Sequence, residues 1–483
     1  MGKHELGRSV EAPAPTTAAA AVAPGGDTSV LAEEVVPEGR RSGRNALWLM
    51  IERVVHLGVA FLVTVVVARA LGPADYGQIA LGLAFFALLM PISNITAQCL
   101  MRDTTNEPQS ANMLMSSAEV AAGLVTSIIM VAIVAGTALT IGVDSTEGIV
   151  LLVIAGSALL RPLQVVDAWF IMNQASKKVV LIRVAVLLVA GAFRIALPLL
   201  GYGVLAVAWT YIIESALASI GSWLAYRRFN KDYRWELSRV RVLSVMKEFV
   251  PLLLIASTAQ IYHRLDQAML AWLSDFREVG IFAATSSLSE APRFPLIALA
   301  VSMTPRLLAL RKTNPERFQV ALSDFARLVN LCGFALTLAL VAVAPLLPWL
   351  LGPAYEDAVL VMIILAVTTP LAAISAVLLL LTNWDKLYRE AVIRNLTGAA
   401  ISVGLNFLLM PRYGAVGAAI STFAAMLWVF VIGVAIDRRT RFMFKITLPA
   451  LDPISSTRIL LKRRRERQAE RKLLDEMNDF YTS

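Results

Sequence analysis

The chain has 483 residues, of which 57% are apolar and 16% charged, with a mean hydropathy of +0.67 and 44 Lys and Arg against 35 Asp and Glu. Soluble domains carry about a quarter charged residues, so a water-soluble globular enzyme is excluded. A helix needs about 20 residues to cross the hydrocarbon of a bilayer, which leaves room for roughly a dozen crossings and no large soluble domain.

In chain order, residues 1–44 are rich in Ala, Pro, Thr and Glu without an apolar core of signal-peptide length, and read as a disordered cytoplasmic arm. Met1-Gly2 opens a myristoylation pattern that fails at Leu6. Apolar runs between polar breaks then predict twelve helices, at 46–69, 78–101, 113–141, 148–172, 179–200, 203–226, 247–273, 279–305, 324–351, 357–382, 388–410 and 414–436. They fall into two lobes of six, 45–226 and 247–436, joined by a basic cytoplasmic linker at 227–246. Residues 437–483 form a basic cytoplasmic tail. Its run Lys462-Arg-Arg-Arg-Glu-Arg467 precedes Leu473, Leu474, Met477 and Phe480 at helical spacing, so an amphipathic helix on the inner surface or a solvated tail is expected. The sequons at Asn94 and Asn395 lie inside predicted helices and are chance matches.

The Lys and Arg outside the helix interiors set the orientation. With both termini in the cytoplasm, that side holds 33 of them and the outer loops hold only Arg277 and Arg412. Basic loops resist translocation, so the bias predicts both ends inside.

The chain also repeats itself. Pro162 and Pro370 are 208 apart, Asn173 and Asn383 are 210 apart, and Arg183 and Arg394, like Gly203 and Gly414, are 211 apart. A near-constant offset across apolar segments is the plan of a transporter built from two related halves.

The charges inside the helices carry the functional expectation. Beyond the boundary residues Arg389 and Lys247, the twelve spans hold nine arginines, Arg53, Arg69, Arg161, Arg183, Arg194, Arg264, Arg293, Arg327 and Arg394, and no lysine. Guanidinium is always charged and offers a planar fork to two phosphate oxygens, which ammonium does not. Arg69, Arg183, Arg327 and Arg394 lie near helix ends and are expected to snorkel to headgroups. Arg53, Arg161, Arg194, Arg264 and Arg293 sit deeper, where a lone charge costs about 2.5–3.5 kcal/mol on insertion scales, and should face water or a partner. Arg53 and Arg264 occupy the first helix of each half, 211 residues apart, which suggests one shared cavity. Glu52 with His56, and Glu290 with Arg293, are spaced for structural pairs on one helix face. His56, His263 and Asp266 flank the arginines, and they either form a titrating relay that couples proton entry to transport or are ordinary hydrogen-bonded polar residues.

Cys99 and Cys332 fall within helices and read as two buried small hydrophobes. No metal-ligand spacing, Gly-rich phosphate loop, nucleophile elbow or catalytic carboxylate pair occurs. Neither a metal nor another cofactor is expected, nor a nucleic-acid partner.

Leu71-Gly-Pro-Ala-Asp-Tyr-Gly77 after the first helix resembles the LGPxxYG signature of bacterial polysaccharide flippases. Asp266-Gln-Ala-Met-Leu-Ala-Trp-Leu273 followed by Val279-Gly-Ile-Phe-Ala283, Leu351-Gly-Pro-Ala-Tyr-Glu-Asp-Ala358 and Pro411-Arg-Tyr-Gly-Ala-Val-Gly-Ala-Ala419 resemble the same family. The matches cover the membrane part, residues 45 to 436. The resemblance implies the multidrug, oligosaccharidyl-lipid and polysaccharide exporter superfamily: an all-α integral membrane fold, two six-helix lobes in a V, and alternating access through a central cavity.

It further implies a flippase in the bacterial inner membrane that turns a polyprenyl-diphosphate-linked glycan from the cytoplasmic to the outer leaflet. Glycosyltransferases or a polymerase of the same pathway are the implied neighbours. Arg53, Arg264 and Arg293 are the first expectations for diphosphate contact, with Arg161 and Arg194 behind them. Three alternatives stand beside it: a multidrug cation antiporter on the same architecture, a non-transporting membrane scaffold that recruits cell-wall enzymes through the basic tail, and a lipid II flippase, a branch that usually carries two additional helices.

Overall fold

A computed structural model describes residues 38–106, 111–230 and 235–463, together with 465 and 468. The N-terminal arm up to residue 37 and the spaced apolar residues Leu473 to Phe480 lie outside the described residues. Every regular element among the described residues is helical. Eight stretches are long and apolar enough to cross a membrane: Leu47–Met101, Asn112–Thr140, Thr146–Met172, Ser176–Leu199, Val204–Phe229, Pro315–Leu351, Ala358–Asp385 and Tyr388–Ile436.

Two of the eight are too long for a single crossing. At 1.5 Å per residue, the 55 residues of Leu47–Met101 and the 49 of Tyr388–Ile436 are each more than twice as long as the hydrocarbon is thick. Each contains one backbone break. Helix α1 (Glu38–Asn106) turns at Gly72 (φ 80, ψ 172), and α14 (Tyr388–Leu427) turns at Gly414 (φ 50, ψ −127). The sequence reads these as separate helices, and the glycines are where they separate. Between them run α2 (Ala111–Thr140), α3 (Thr146–Gly156), a 3₁₀ stretch (Ser157–Val166), α4 (Asp167–Met172), α5 (Ser176–Leu199), α6 (Val204–Phe229) and α7 (Arg239–Leu273). Then come α8 (Phe276–Glu290), α9 (Phe294–Thr313), α10 (Pro315–Val343), α11 (Leu347–Leu351), α12 (Ala358–Val367) and α13 (Thr369–Asp385).

Helix starts follow local chemistry. The side chains of Asp275 and Asn314 accept from the backbone N–H of Glu278 and Arg317, capping α8 and α10, and Pro315 fills the first turn of α10, where its missing N–H costs nothing. The twin Leu-Gly-Pro motifs share one backbone geometry. Gly72 (φ 80, ψ 172) and Gly352 (φ 107, ψ 160) both occupy a region open essentially to glycine alone, and a proline starts the helix that follows. The sequence repeat is also visible in the backbone. Gln174 and Lys386, 212 residues apart, are the two non-glycine residues with positive φ among the described residues, each just past the end of a helix.

Three large apolar clusters organise the packing. One is shared by both halves of the sequence and joins Val67, Ala68 and Tyr76 to Leu270, Val279, Leu347, Tyr355 and Ala415. A second belongs mainly to the first half, around Ile92, Leu114, Val165 and Phe170, and a third to the second half, around Leu307, Phe325, Val377 and Met443. The shared cluster lies at the end that holds Gly72, Gly352 and Gly414. There α1 and α8 cross with backbone against backbone: a Cβ on Gly280 would stand 1.8 Å from the Pro73 carbonyl oxygen, and one on Gly77 would stand 1.9 Å from that of Phe276. Polar contacts fasten the same end. Arg69 donates to the Trp349 carbonyl at 2.9 Å, the Tyr355 hydroxyl donates to the Ala68 carbonyl at 3.2 Å, and the Ala415 N–H donates to the Glu278 carboxylate at 2.7 Å. Arg277 pairs with Asp357 at 3.0 Å, and this hydrogen bond holds its guanidinium above the usual arginine range.

Three sequence expectations need correction. Arg183 does not snorkel: it bridges Glu52 at 2.6 Å and Asp167 at 2.9 Å, so Glu52 serves this arginine rather than His56. Cys99 is buried but Cys332 is exposed on α10. Of the two alternatives for the tail, the solvated one fails up to residue 463, because α15 (Gly433–Ile436) leads into α16 (Arg441–Thr447) and a helix over 453–463. Met443, Ala450 and Ser456 are fully buried there, and Asn330 of α10 donates to the Ala450 carbonyl.

Candidate functional site

A cavity of about 620 Å³ lies between the two halves, lined from α1, the 3₁₀ stretch, α5 and α6 on one side and from α7 and α8 on the other. All five deep arginines of the sequence analysis reach it: Arg53 from α1, Arg161 from the 3₁₀ stretch, Arg194 from α5, Arg264 from α7 and Arg293 at the end of α8. His56 lines it as well. Two carboxylates, Glu214 and Glu290, share the wall, so five guanidiniums against two acids leave a charge of +3 with His56 neutral. The other walls are apolar, among them Phe61, Val63, Leu83, Phe86 and Leu187.

The five arginines are held differently. Arg194 is committed to its own protein: its Nε donates to Thr210 at 3.0 Å, it pairs with Glu214, and its guanidinium stacks on Tyr211 at 3.5 Å. Arg161 lies over the Phe86 ring at 5.1 Å. Arg293 donates to the Leu365 carbonyl at 3.1 Å and to the Thr368 hydroxyl at 2.8 Å, and no ion pair joins it to Glu290 among the described residues. Yet the Nε–H groups of Arg161, Arg264 and Arg293 are all buried without an acceptor. A buried donor left unmade costs about 1–3 kcal/mol, more for a charged group, so the cavity wall holds three positions that an incoming anion would relieve.

A small extension of the same space is lined by Arg264, Asp266, Gln267, Glu290, Arg293, Thr368 and Thr422. Asp266 is buried there and accepts from Ser402 at 3.2 Å, Asn406 at 2.7 Å and Thr422 at 2.8 Å. With Asn406 Oδ1, which has no hydrogen-bond partner, this is a compact set of hard oxygen donors inside the second half. Among the described residues, no group of three His, Cys, Asp or Glu could hold a metal ion. His263 lies on α7, and its side chain is outside the described residues.

Sequence reasoning missed Gln164, Tyr211 and Gln267 on the cavity wall and the Ser402, Asn406 and Thr422 donors to Asp266. Tyr211 and Glu214 are three apart on α6 and share a face, which is a readable signal. The donors to Asp266 sit 136 to 156 residues away and leave none.

Comparison with solved structures identifies the fold. The structure superposes on the lipid II flippase MurJ in its inward closed conformation with a TM-score of 0.64 at 16% identity, over 86% of this chain and 92% of that one. It superposes on an inward-facing multidrug resistance MATE family transporter of the MOP superfamily with a TM-score of 0.60 at 14% identity, over 81% and 99%. A eukaryotic MATE transporter gives 0.55 at 12% identity, over 85% and 100%. Among curated proteins, none matches the chain. The family model described as polysaccharide biosynthesis protein matches residues 66–360, which is more than half of the sequence, and the chain belongs to that family.

Proposed function

We propose that this protein is a flippase that carries a polyprenyl-diphosphate-linked oligosaccharide from the cytoplasmic to the outer leaflet of a bacterial inner membrane, for cell-surface polysaccharide synthesis. One observation carries the reading: five guanidiniums from both halves line a single cavity of net positive charge, and three of them keep a buried Nε–H without an acceptor. A diphosphate supplies the acceptors that these groups lack, in the geometry that the guanidinium fork fits. Arg264 and Arg293 face it from the second half, and Arg53 and Arg161 from the first. Arg194 shapes the wall through Glu214 and Tyr211. The apolar walls suit the polyprenyl chain next to the headgroup, and membership of a polysaccharide biosynthesis family supports the glycan.

The chain crosses the membrane twelve times, as two lobes at 45–226 and 247–436 with both termini cytoplasmic. Breaking Leu47–Met101 at Gly72 and Tyr388–Ile436 at Gly414 turns eight apolar stretches into ten crossings. Helix α7 and the α8–α9 pair supply the other two. The bias of 33 basic residues to 2 supports the orientation. The Gly72 end, where the halves share a core, then lies outside, and access alternates by opening and closing it. Two negative charges leaving a negative interior gain about 2.3 kcal/mol each per 100 mV of field crossed. Asp266, with His56 and His263, carries any further ion coupling. Neighbouring glycosyltransferases or a polymerase would supply and consume the glycan.

Complementation tests the reading. In a strain lacking its own flippase, the wild-type gene restores surface glycan and Arg264→Ala does not, at equal protein level. Undiminished export by the Arg264→Ala variant would remove the arginine from the substrate site. A cavity of charge +3 opposes organic cations, so drug susceptibility should not change.

A further inference from the structure

Away from the arginine cavity, a separate cavity of about 510 Å³ lies between α9, α10 and the C-terminal helix. Its wall is apolar on one side, with Met303, Leu307, Phe325 and Leu460, and carries Arg306 and Arg463 on the other. Arg463 pairs with Asp324 of α10, which locks the C-terminal helix over the opening. Arg306, exposed at the cavity, has no hydrogen bond or ion pair among the described residues. Lys462, Arg464, Arg465 and Arg467 flank Arg463 in sequence, and Arg311, paired with Asp385, stands with Lys312 and Arg317 around the turn between α9 and α10.

We propose that this cavity is a binding site for one anionic phospholipid, with the headgroup phosphate on Arg306 and the upper acyl chain on the Met303, Leu307, Phe325 and Leu460 wall. Three observations converge on a lipid. Arg306 and the turn with Arg311, Lys312 and Arg317 close the C-terminal end of α9 and the N-terminal end of α10, where these helices leave the hydrocarbon and meet headgroups. The cavity pairs a cation with an apolar face, the combination that a phospholipid presents in reverse. The wall carries Arg306 and Arg463 against Asp324, a net charge of +1, which attracts anionic rather than zwitterionic headgroups. Because the Arg463–Asp324 pair closes the cavity, the bound lipid also fixes the C-terminal helix against α10, and an anionic membrane holds this helix in place. The site is independent of the glycan reading.

The test uses the full-length protein in detergent, titrated with phosphatidylglycerol or phosphatidylcholine, with retained lipid counted by native mass spectrometry. Wild type should retain phosphatidylglycerol in preference to phosphatidylcholine. Arg306→Gln should lower that retention about fivefold, the factor for one basic residue at an anionic surface. Arg306→Lys should keep it, and Arg317→Gln, near the same turn but off the cavity wall, should lower it less than Arg306→Gln does. Equal retention of the two lipids by wild type, or undiminished retention by Arg306→Gln, overturns the proposal. So does displacement of the lipid by equimolar glycerol 3-phosphate, since the acyl chain would then contribute nothing.

Discussion

Arg264→Ala separates a ligand-binding arginine from a structural one, because the two roles predict opposite signs for stability. The Arg264 Nε–H is buried with no acceptor among the described residues. Deleting it removes a desolvation penalty of about 1–3 kcal/mol, while truncating the half-buried side chain forfeits some packing. The unliganded variant should therefore unfold at or slightly above the wild-type temperature. A charge-assisted hydrogen bond to the diphosphate contributes about 1.5–3 kcal/mol, which is roughly 10- to 150-fold in affinity at 1.4 kcal/mol per decade. Arg264→Lys keeps the charge and loses the fork, so its affinity should fall between the two. The assay pairs thermal unfolding in detergent with titration of a short-chain polyprenyl diphosphate. A melting temperature well below wild type with affinity changed less than twofold would refute the reasoning and make Arg264 a structural residue.

Three further outcomes follow from the same geometry. Arg194→Ala strands Glu214 beside Tyr211; breaking a buried pair costs about 3–5 kcal/mol, and since Glu214 is 23% exposed a loss near the lower bound is expected, read as a fall in melting temperature and in membrane level. Gly280→Ala places a Cβ 1.8 Å from the Pro73 carbonyl oxygen, and with backbone on both sides the crossing must open, at the upper end of the about 1–3 kcal/mol typical of overpacking. Gly404→Ala, with nothing within 4 Å, should be neutral or stabilising by up to about 1 kcal/mol; equal melting temperatures for these two glycine variants would contradict the close crossing. Asp266→Asn replaces an acceptor of three hydrogen bonds by a group that carries a donor, so flipping into proteoliposomes should lose its dependence on an ion gradient, whereas an unchanged gradient response would remove Asp266 from coupling.

What the sequence made legible was set by the cost of charge in hydrocarbon. An arginine deep in a helix must find water or a partner, and that rule alone selected Arg53, Arg161, Arg194, Arg264 and Arg293, which the structure places around one cavity. It could not tell which of them are already engaged. Arg194 meets Glu214 and Arg183 meets Glu52 across 20 and 131 residues of chain, contacts that exist only once α5 packs on α6 and α1. Snorkelling was the cheaper expectation for Arg183 near its helix end, and the pair with Glu52 and Asp167 overrode it. The motif glycines were legible as turn formers. That Gly77 and Gly280 meet each other was not, because no local pattern links positions 203 residues apart. The packed tail was masked by its basic composition, with only Met443, Ala450 and a few neighbours forming the buried face.

The two carboxylates in the cavity answer a difficulty that five arginines create. A carrier that binds its substrate too tightly cannot release it, since affinity shared by the loaded states lowers the ground state without speeding the passage between them. Five uncompensated guanidiniums would hold a diphosphate in that way. Glu214 engages Arg194 and so withdraws one of the five from the ligand, and Arg293 spends part of its fork on the Leu365 carbonyl and Thr368. On the proposed reading the cavity keeps +3 against a diphosphate of charge −2, which would attract the headgroup and leave the loaded cavity near neutrality as the halves move. The bilayer penalty for a moving net charge, several kcal/mol for each one left uncompensated, is thereby reduced to that of about one. On the proposed reading the loaded cavity, near +1, would feel less of the membrane potential than the empty cavity at +3, so the drive would fall mainly on the inward return of the empty protein.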